Sequence, residues 1–216
     1  MTKVPQAGNV KTRLQNILAP EECESLAEAF LKDAVNKAHT ACENVFIAFF
    51  PPEEIQKLKK ILPDESNFIE QTGENLGEKM SNAFQFVFQQ KTDSVVMIGT
   101  DSPTFPFDYI EQAFEFLETN SEIVLGKTDD GGFYLIGLRT LRREIFANVA
   151  WSSPKTFEQV FENVRNLGLH LRETPGWYDV DEEHDLIKLK KEILHNENAK
   201  RRAPNTFELL KQNIFV

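Results

Sequence analysis

Two runs in this sequence are apolar almost without a break, "VFIAFF" at 45–50 and "VVMI" at 95–98. A strand with one wet face alternates apolar and polar residues. A run with no polar face must be covered on both sides, as in a parallel sheet carrying helices on each face. The segments around these runs show the helical period instead. From Glu21, Leu26, Phe30, Ala34 and Ala38 recur every fourth residue, with Ala27, Leu31 and Val35 beside them. Over 75–90, Leu76, Met80, Phe84, Val87 and Phe88 share one side. Strands alternating with amphipathic helices predict an α/β fold with a mainly parallel sheet and helices on both faces.

The remaining elements fit that alternation. "PPEEIQKLKKIL" starts a helix on its prolines, and "NFIEQ" is a weak strand. "EIVLGK" and "FYLIGL" read as strands separated by "TDDGG", with helices near Tyr109 to Leu117 and over 154–167. "LHLRET" reads as a strand, and "PGWYDVDEEHDL" leads into a helix ending near Leu194. "NENAKRRAP" reads as a polar linker, after which Asn205 and Glu208 form a capping box for a last short helix. The expected organisation is therefore one domain over 1–195 and a linker with a short helix over 196–216. Only "MTKV" precedes the first glycine loop, so the opening strand of such a fold reads as truncated, and the natural chain is expected to extend upstream.

Composition narrows the function. The chain has 216 residues and a net charge of −10. That charge argues against nonspecific nucleic-acid binding, which needs a basic face. No apolar run approaches the roughly 20 residues of a membrane span, and the N-terminus has no secretory apolar region. Cys23 and Cys42 form neither a metal spacing nor a disulfide framework, so they read as free thiols of a cytoplasmic protein. None of the four histidines stands at a zinc-motif spacing from another. The 18 phenylalanines read mostly as packing, and the stretch from Phe105 to Phe116 as core or as part of a homodimer contact.

Ligands of open α/β sheets sit beyond the carboxyl ends of the strands, so the loops there carry the argument. "VPQAGNVKTRL", at 4–14, is a cationic stretch in an acidic chain. Gly8 allows a tight turn, and Lys11 and Arg13 supply a point charge and a forked donor suited to phosphate oxygens. The plain alternative is a solvated basic segment. In "GTDSP", Asp101 follows an apolar strand directly. It is placed to hold Mg²⁺, which favours oxygen ligands, or to serve as a turn and helix-start residue. In "WYDVDEEHDL", Asp179 and Asp181 alternate and so share a side in extended chain. They either complete a metal site with Asp101 or cap the next helix. "DDGGFYLIGL" puts Asp130 before Gly131 and Gly132. These either close a hairpin or leave room for a sugar whose hydroxyls Asp130 would bond. "WSSP" offers Trp151 as a stacking wall or core residue, and Ser152 or Ser153 as a helix cap.

In chain order, "PQAGNVKTRL", "GTDSP", "DDGGFYLIGL", "WSSP" and "WYDVDEEHDL" resemble a family of small bacterial glycosyltransferase-like proteins. The family is known as DUF2064 or selenium-domain-associated transferases, with the GT-A, nucleotide-diphospho-sugar transferase fold. The resemblance runs from about Val4 to Leu194. It implies that Gly8, Lys11 and Arg13 hold nucleotide phosphates. It implies Asp101 as main ligand of Mg²⁺ (or Mn²⁺) with Asp181 second, and Asp130 facing the acceptor or sugar. The implied activity is a Mg²⁺-dependent transferase using a nucleotide-sugar. The alternatives are a nucleotidyltransferase of the guanylyltransferase kind, which takes a nucleoside triphosphate and releases pyrophosphate, and a non-catalytic nucleotide-binding protein. Two departures stand out: the short opening strand, and Glu182 where the family more usually has threonine.

Overall fold

The computed structural model describes residues 1–63 and 66–212. Among these the strands are β1 Thr2–Lys3, β2 Phe46–Phe50, β3 Asn67–Glu70, β4 Val95–Ile98, β5 Ile123–Thr128, β6 Phe133–Leu138 and β7 Leu171–Trp177. The helices are α1 Pro20–Ala41, α2 Ile55–Ile61, α3 Leu76–Phe88, α4 Asp108–Thr119, α5 Thr156–Asn166, α6 Glu183–His195, α7 Glu197–Arg202 and α8 Pro204–Leu210. They divide into two compact units.

The first unit comprises Met1–Phe68, Gly99–Phe107 and Tyr178–Val216. Its strands run in the order β1-β2-β3, with the unit boundary falling inside β3. β2 is the inner strand, and Ile47, Ala48 and Phe49 are buried on it, as an unbroken apolar run requires. Val4, Leu31, Val35, Ile47, Phe49, Leu58 and Leu62 form one cluster joining the strands to α1 and α2. "MTKV" does form a strand. β1 pairs in parallel with β2, and Val4 N donates to Phe50 O at 2.8 Å.

α1 buries more than one face, and two of its buried residues are charged. Asp33 is fully buried, and its carboxylate accepts from the backbone N–H groups of Asn205 and Thr206, at 2.9 Å each. It also accepts from their side chains, at 2.8 and 2.6 Å. A helix start leaves N–H groups unpaired; here a residue 172 positions away supplies the acceptor for α8. This corrects the expected capping box, because α8 begins at Pro204, leaving Asn205 inside it. The segment read as a linker is also corrected. Its residues Glu197–Arg202 form α7, with Asn196 capping the N–H groups of Asn198 and Ala199. Its polarity is that of a helix with a solvated face.

The second unit comprises Ile69–Ile98 and Asp108–Trp177. Its strand order is β4-β6-β5-β7. β5 and β7 are parallel, while β6 runs antiparallel to both β4 and β5. The inner strands β5 and β6 are the buried ones, whereas all four β4 residues are half-buried. The apolar run "VVMI" therefore marks a strand at one end of the order, less covered than its composition predicts. β7 continues past "LHLRET" through Pro175 to Trp177. At the other end of the order a proline costs no inward ladder bond.

Candidate functional site

The opening loop turns on itself, with Asn9 N donating to Gln6 O at 3.0 Å, before a 3₁₀ turn at Thr12–Leu14 leads to α1. Gly8 has φ +81°, and a Cβ there would meet nothing within 4 Å, so backbone conformation rather than crowding selects glycine. Lys11 also lies in the left-handed region, at φ 47°, ψ 40°. That conformation costs a side-chain-bearing residue about 1 kcal/mol, and it turns the Lys11 side chain toward three acceptors. Its Nζ bonds the Asp101 carboxylate, the Val180 carbonyl at 2.7 Å and Asp181 Oδ1 at 3.3 Å. The Phe30 ring lies 5.2 Å away. Burial opposes the charge on Lys11, but Asp101 and Asp181 outweigh it and raise its pKa above the ordinary value.

Asp101 stands at the exposed tip of a buried stretch. Its side chain is 52% exposed, whereas Ser102, Thr104 and Phe105 are buried. Val180 joins this tip to the late loop, since its N–H donates to Asp101 O at 2.9 Å while its carbonyl accepts from Lys11. Asp181 is held from behind. Asp185 Oδ2 accepts the N–H of Asp181 at 3.2 Å and that of Glu182 at 2.9 Å, which also starts α6. Arg13 Nη1 reaches Asp181 Oδ2 at 4.0 Å from an exposed position. Lys11, Arg13, Asp101 and Asp181 therefore meet within the first unit. Asp179 is half-buried, two residues before Asp181 and separated from it by buried Val180. Among the described residues no group of three His, Cys, Asp or Glu side chains is arranged to hold a metal ion.

Residues outside the motifs brace this site. Buried Lys37 donates to the carbonyls of Pro103 and Phe105, at 2.9 and 2.7 Å, and lies over the Phe105 ring at 3.7 Å. Its pKa is lowered to about 7, mainly by burial, with Asp33 and Glu192 opposing and Arg202 assisting. Thr104 Oγ1 donates to Glu192 at 2.9 Å, and Tyr178 O–H donates to the same carboxylate oxygen. Burial and the Glu192 contact raise the Tyr178 pKa. Sequence alone gives these residues no signal, because a lysine and an aspartate one turn apart on a helix look like surface charge. Cys23 Sγ lies 3.6 Å from the Lys11 carbonyl. His184 is exposed beside Asp185 and Glu182. It lines an open pocket with Arg13, Asn16, Glu182, Glu183 and Ile187.

The hairpin motif belongs to the second unit. Asp130 Oδ1 accepts from Thr128 Oγ1 at 2.6 Å and from Gly132 N at 2.8 Å, holding the β5–β6 turn. Gly131 has φ +91°, and a Cβ there would lie 2.1 Å from the Pro154 carbonyl. Phe157 N donates to Gly131 O at 2.8 Å. The space at Gly131 is thus filled by the "WSSP" stretch. A Cβ on Gly132 would crowd Thr128 and Asp130 themselves. Trp151 packs on Gly77, where a Cβ would lie 2.5 Å from its ring, and near Phe146. Ser152 is exposed at φ 58°, and Ser153 Oγ accepts from Lys155 N in the turn before α5.

Solved structures include a near match over most of both chains. A protein from Desulfovibrio desulfuricans G20, provisionally called a nucleotide-diphospho-sugar transferase, superposes with a TM-score of 0.91 at 29% identity. The match covers 98% of this chain and 92% of that one. Two remoter likenesses show the fold alone. The 4-diphosphocytidyl-2C-methyl-D-erythritol synthase of Anaerococcus prevotii DSM 20548 gives a TM-score of 0.54 at 11% identity, covering 77% and 87% of the two chains. A CMP:2-keto-3-deoxy-manno-octonic acid synthetase in complex with CTP gives 0.51 at 12%, covering 76% and 87%. The fold is therefore α/β, of the nucleotide-diphospho-sugar transferase and nucleotidyltransferase type. Comparison with curated proteins gives no match. Among the described residues no helix is long and apolar enough to cross a membrane. A family model matches residues 23–153, which include Asp101, Asp130 and Trp151. With more than half its length in that match, the chain belongs to DUF2064, described as uncharacterized proteins conserved in bacteria.

Proposed function

We propose that this chain is a divalent-cation-dependent transferase whose donor is a nucleoside-diphosphate sugar. The observation that carries the reading is the meeting of two cations and two partly exposed carboxylates, Lys11, Arg13, Asp101 and Asp181, drawn from separate loops. The provisional name of the 29%-identical structure favours a sugar-bearing donor.

The donor set suits Mg²⁺ or Mn²⁺. Mg²⁺ is commonly held by one or two carboxylates, with substrate phosphates and water completing its shell. Asp101 and Asp181 are that pair. When bound, the cation supplies positive charge to the leaving diphosphate. The chain's own groups do the rest. Lys11 offers a point charge, and the Arg13 guanidinium a planar fork for two phosphate oxygens. Val180 and Asp185 keep the two carboxylates in place through backbone hydrogen bonds. Asp130 is assigned to the acceptor on its motif, alongside its part in the hairpin turn.

The test is thermal stabilisation by a panel of nucleotide-sugars and nucleoside triphosphates, with and without Mg²⁺. A ligand that binds only the folded chain raises Tm by mass action. The account predicts a Mg²⁺-dependent rise with a nucleotide-sugar. A rise with a triphosphate alone would reassign the chain to nucleotidyl transfer, and no rise with either class would overturn the reading.

A further inference from the structure

The Lys11 ammonium is engaged by both proposed cation ligands at once. It is nearly buried, with a side chain 5% exposed, and all its hydrogen-bond acceptors come from Asp101, Val180 and Asp181. Its backbone is held left-handed to reach them. A divalent cation bound by Asp101 and Asp181 would compete with Lys11 for carboxylates that each already give one oxygen to its ammonium, and it would sit close to a buried positive charge. Two cations that close repel, because the buried side of the site screens them less than water does. Lys11 must therefore give up the carboxylates when the cation enters. Leaving it buried with the neutral Val180 carbonyl and no counter-charge would carry a desolvation cost. A phosphate oxygen is the acceptor that removes this cost.

From this we infer that Lys11 acts as a built-in stand-in for the metal, so that the site takes a divalent cation only as its chelate with a di- or triphosphate. The inference rests on the proposed function, because it treats Asp101 and Asp181 as the ligands. It adds a binding order and a substrate form, in that free cation binds weakly and the cation–phosphate complex binds well. The apparent affinity for free cation is reduced by the fraction of molecules in which Lys11 has released the carboxylates.

The experiment measures Mn²⁺ binding to the full chain by electron paramagnetic resonance, with no nucleotide present. Lys11→Met keeps the length and apolar stem without the charge, and should bind free Mn²⁺ about tenfold or more tightly than the wild type. The same variant should bind Mn²⁺–nucleoside diphosphate more weakly than the wild type, an effect of opposite sign that general loosening would not produce. Lys11→Arg should restore weak binding of free Mn²⁺. Arg13→Gln removes a nearby but exposed charge and should change free-Mn²⁺ affinity less than about twofold. Lys11→Gln serves if the methionine variant does not fold. If Lys11→Met and the wild type bind free Mn²⁺ equally, and Asp101→Asn abolishes both, the inference falls and the ligand assignment stands. An equal gain from Arg13→Gln also overturns it, since ordinary charge removal would then suffice. If Asp101→Asn leaves Mn²⁺ binding unchanged, the assignment falls and the inference with it.

Discussion

The loops of the first unit and the hairpin of the second both present aspartates a few residues after a strand ends, yet they are held in opposite ways. The side chains of Asp101 and Asp181 are engaged from far along the chain, since Lys11 is 90 positions from one and 170 from the other, while Asp185 holds only the Asp181 backbone locally. The contacts that fix Asp130 come from Thr128 and Gly132, two positions away on either side. A carboxylate held only by its own turn can be replaced by any residue that keeps the turn. One held by a distant buried ammonium is tied to the whole unit's packing. Turn formation alone would not need the charge arrangement of the first unit.

Four changes break or sharpen this contrast, taken from the largest effect to the smallest. Asp33→Ala removes the distant acceptor from the start of α8 and leaves its buried N–H groups without a partner. Urea unfolding should show a loss of about 3 kcal/mol. A loss under about 1 kcal/mol would mean that local contacts suffice there. Gly131→Ala sets a Cβ against the Pro154 carbonyl at a positive φ, and should lower stability by about 2 kcal/mol. Asp130→Asn keeps an acceptor oxygen for Thr128 and Gly132, so Tm should barely move. If Asp130 also takes the acceptor's proton, turnover should fall on the order of a hundredfold. Unchanged turnover would leave it a turn residue alone.

The smallest effect near neutral pH is a pH dependence. The pKa of Lys37 is lowered to about 7 by burial, so above that pH the unfolded chain binds more protons at this residue than the folded one. Its contribution to stability should therefore rise as pH goes from about 7 toward the ordinary lysine range, and be flat below. The urea midpoint of the wild type should gain on that of Lys37→Met between pH 7 and 9. A gap independent of pH would contradict the assignment.

These contacts explain what the sequence could reveal. The period-4 pattern of α1, the unbroken run of β2 and the glycine pair of the β5–β6 turn are local signals, and each is read within about ten residues. Burial of β4 was misread because coverage depends on a strand's place in the sheet, which its own composition does not encode. The helix α7 was missed because a polar helix with a solvated face and a polar linker have similar composition. At the site, the residue types were legible, since a cationic loop in an acidic chain and aspartates after strands are unusual enough to notice. That Lys11 reaches both Asp101 and Asp181 was not, because only tertiary packing brings residues 11, 101 and 181 together. Asp33, Lys37 and Glu192 were invisible for the same reason. On a helix they look like surface charge.

Asp101→Asn tests the central claim most directly, because it changes one charge at nearly constant shape. Mg²⁺-dependent nucleotide binding should be measured by calorimetry, with Tm measured on the same samples. Binding should fall by on the order of a hundredfold or more, with a much smaller loss of Tm, because the amide oxygen can still accept from Lys11 and Asp181 keeps a charge beside it. Binding that survives intact, with or without a fall in Tm, would make Asp101 a turn residue and contradict the account.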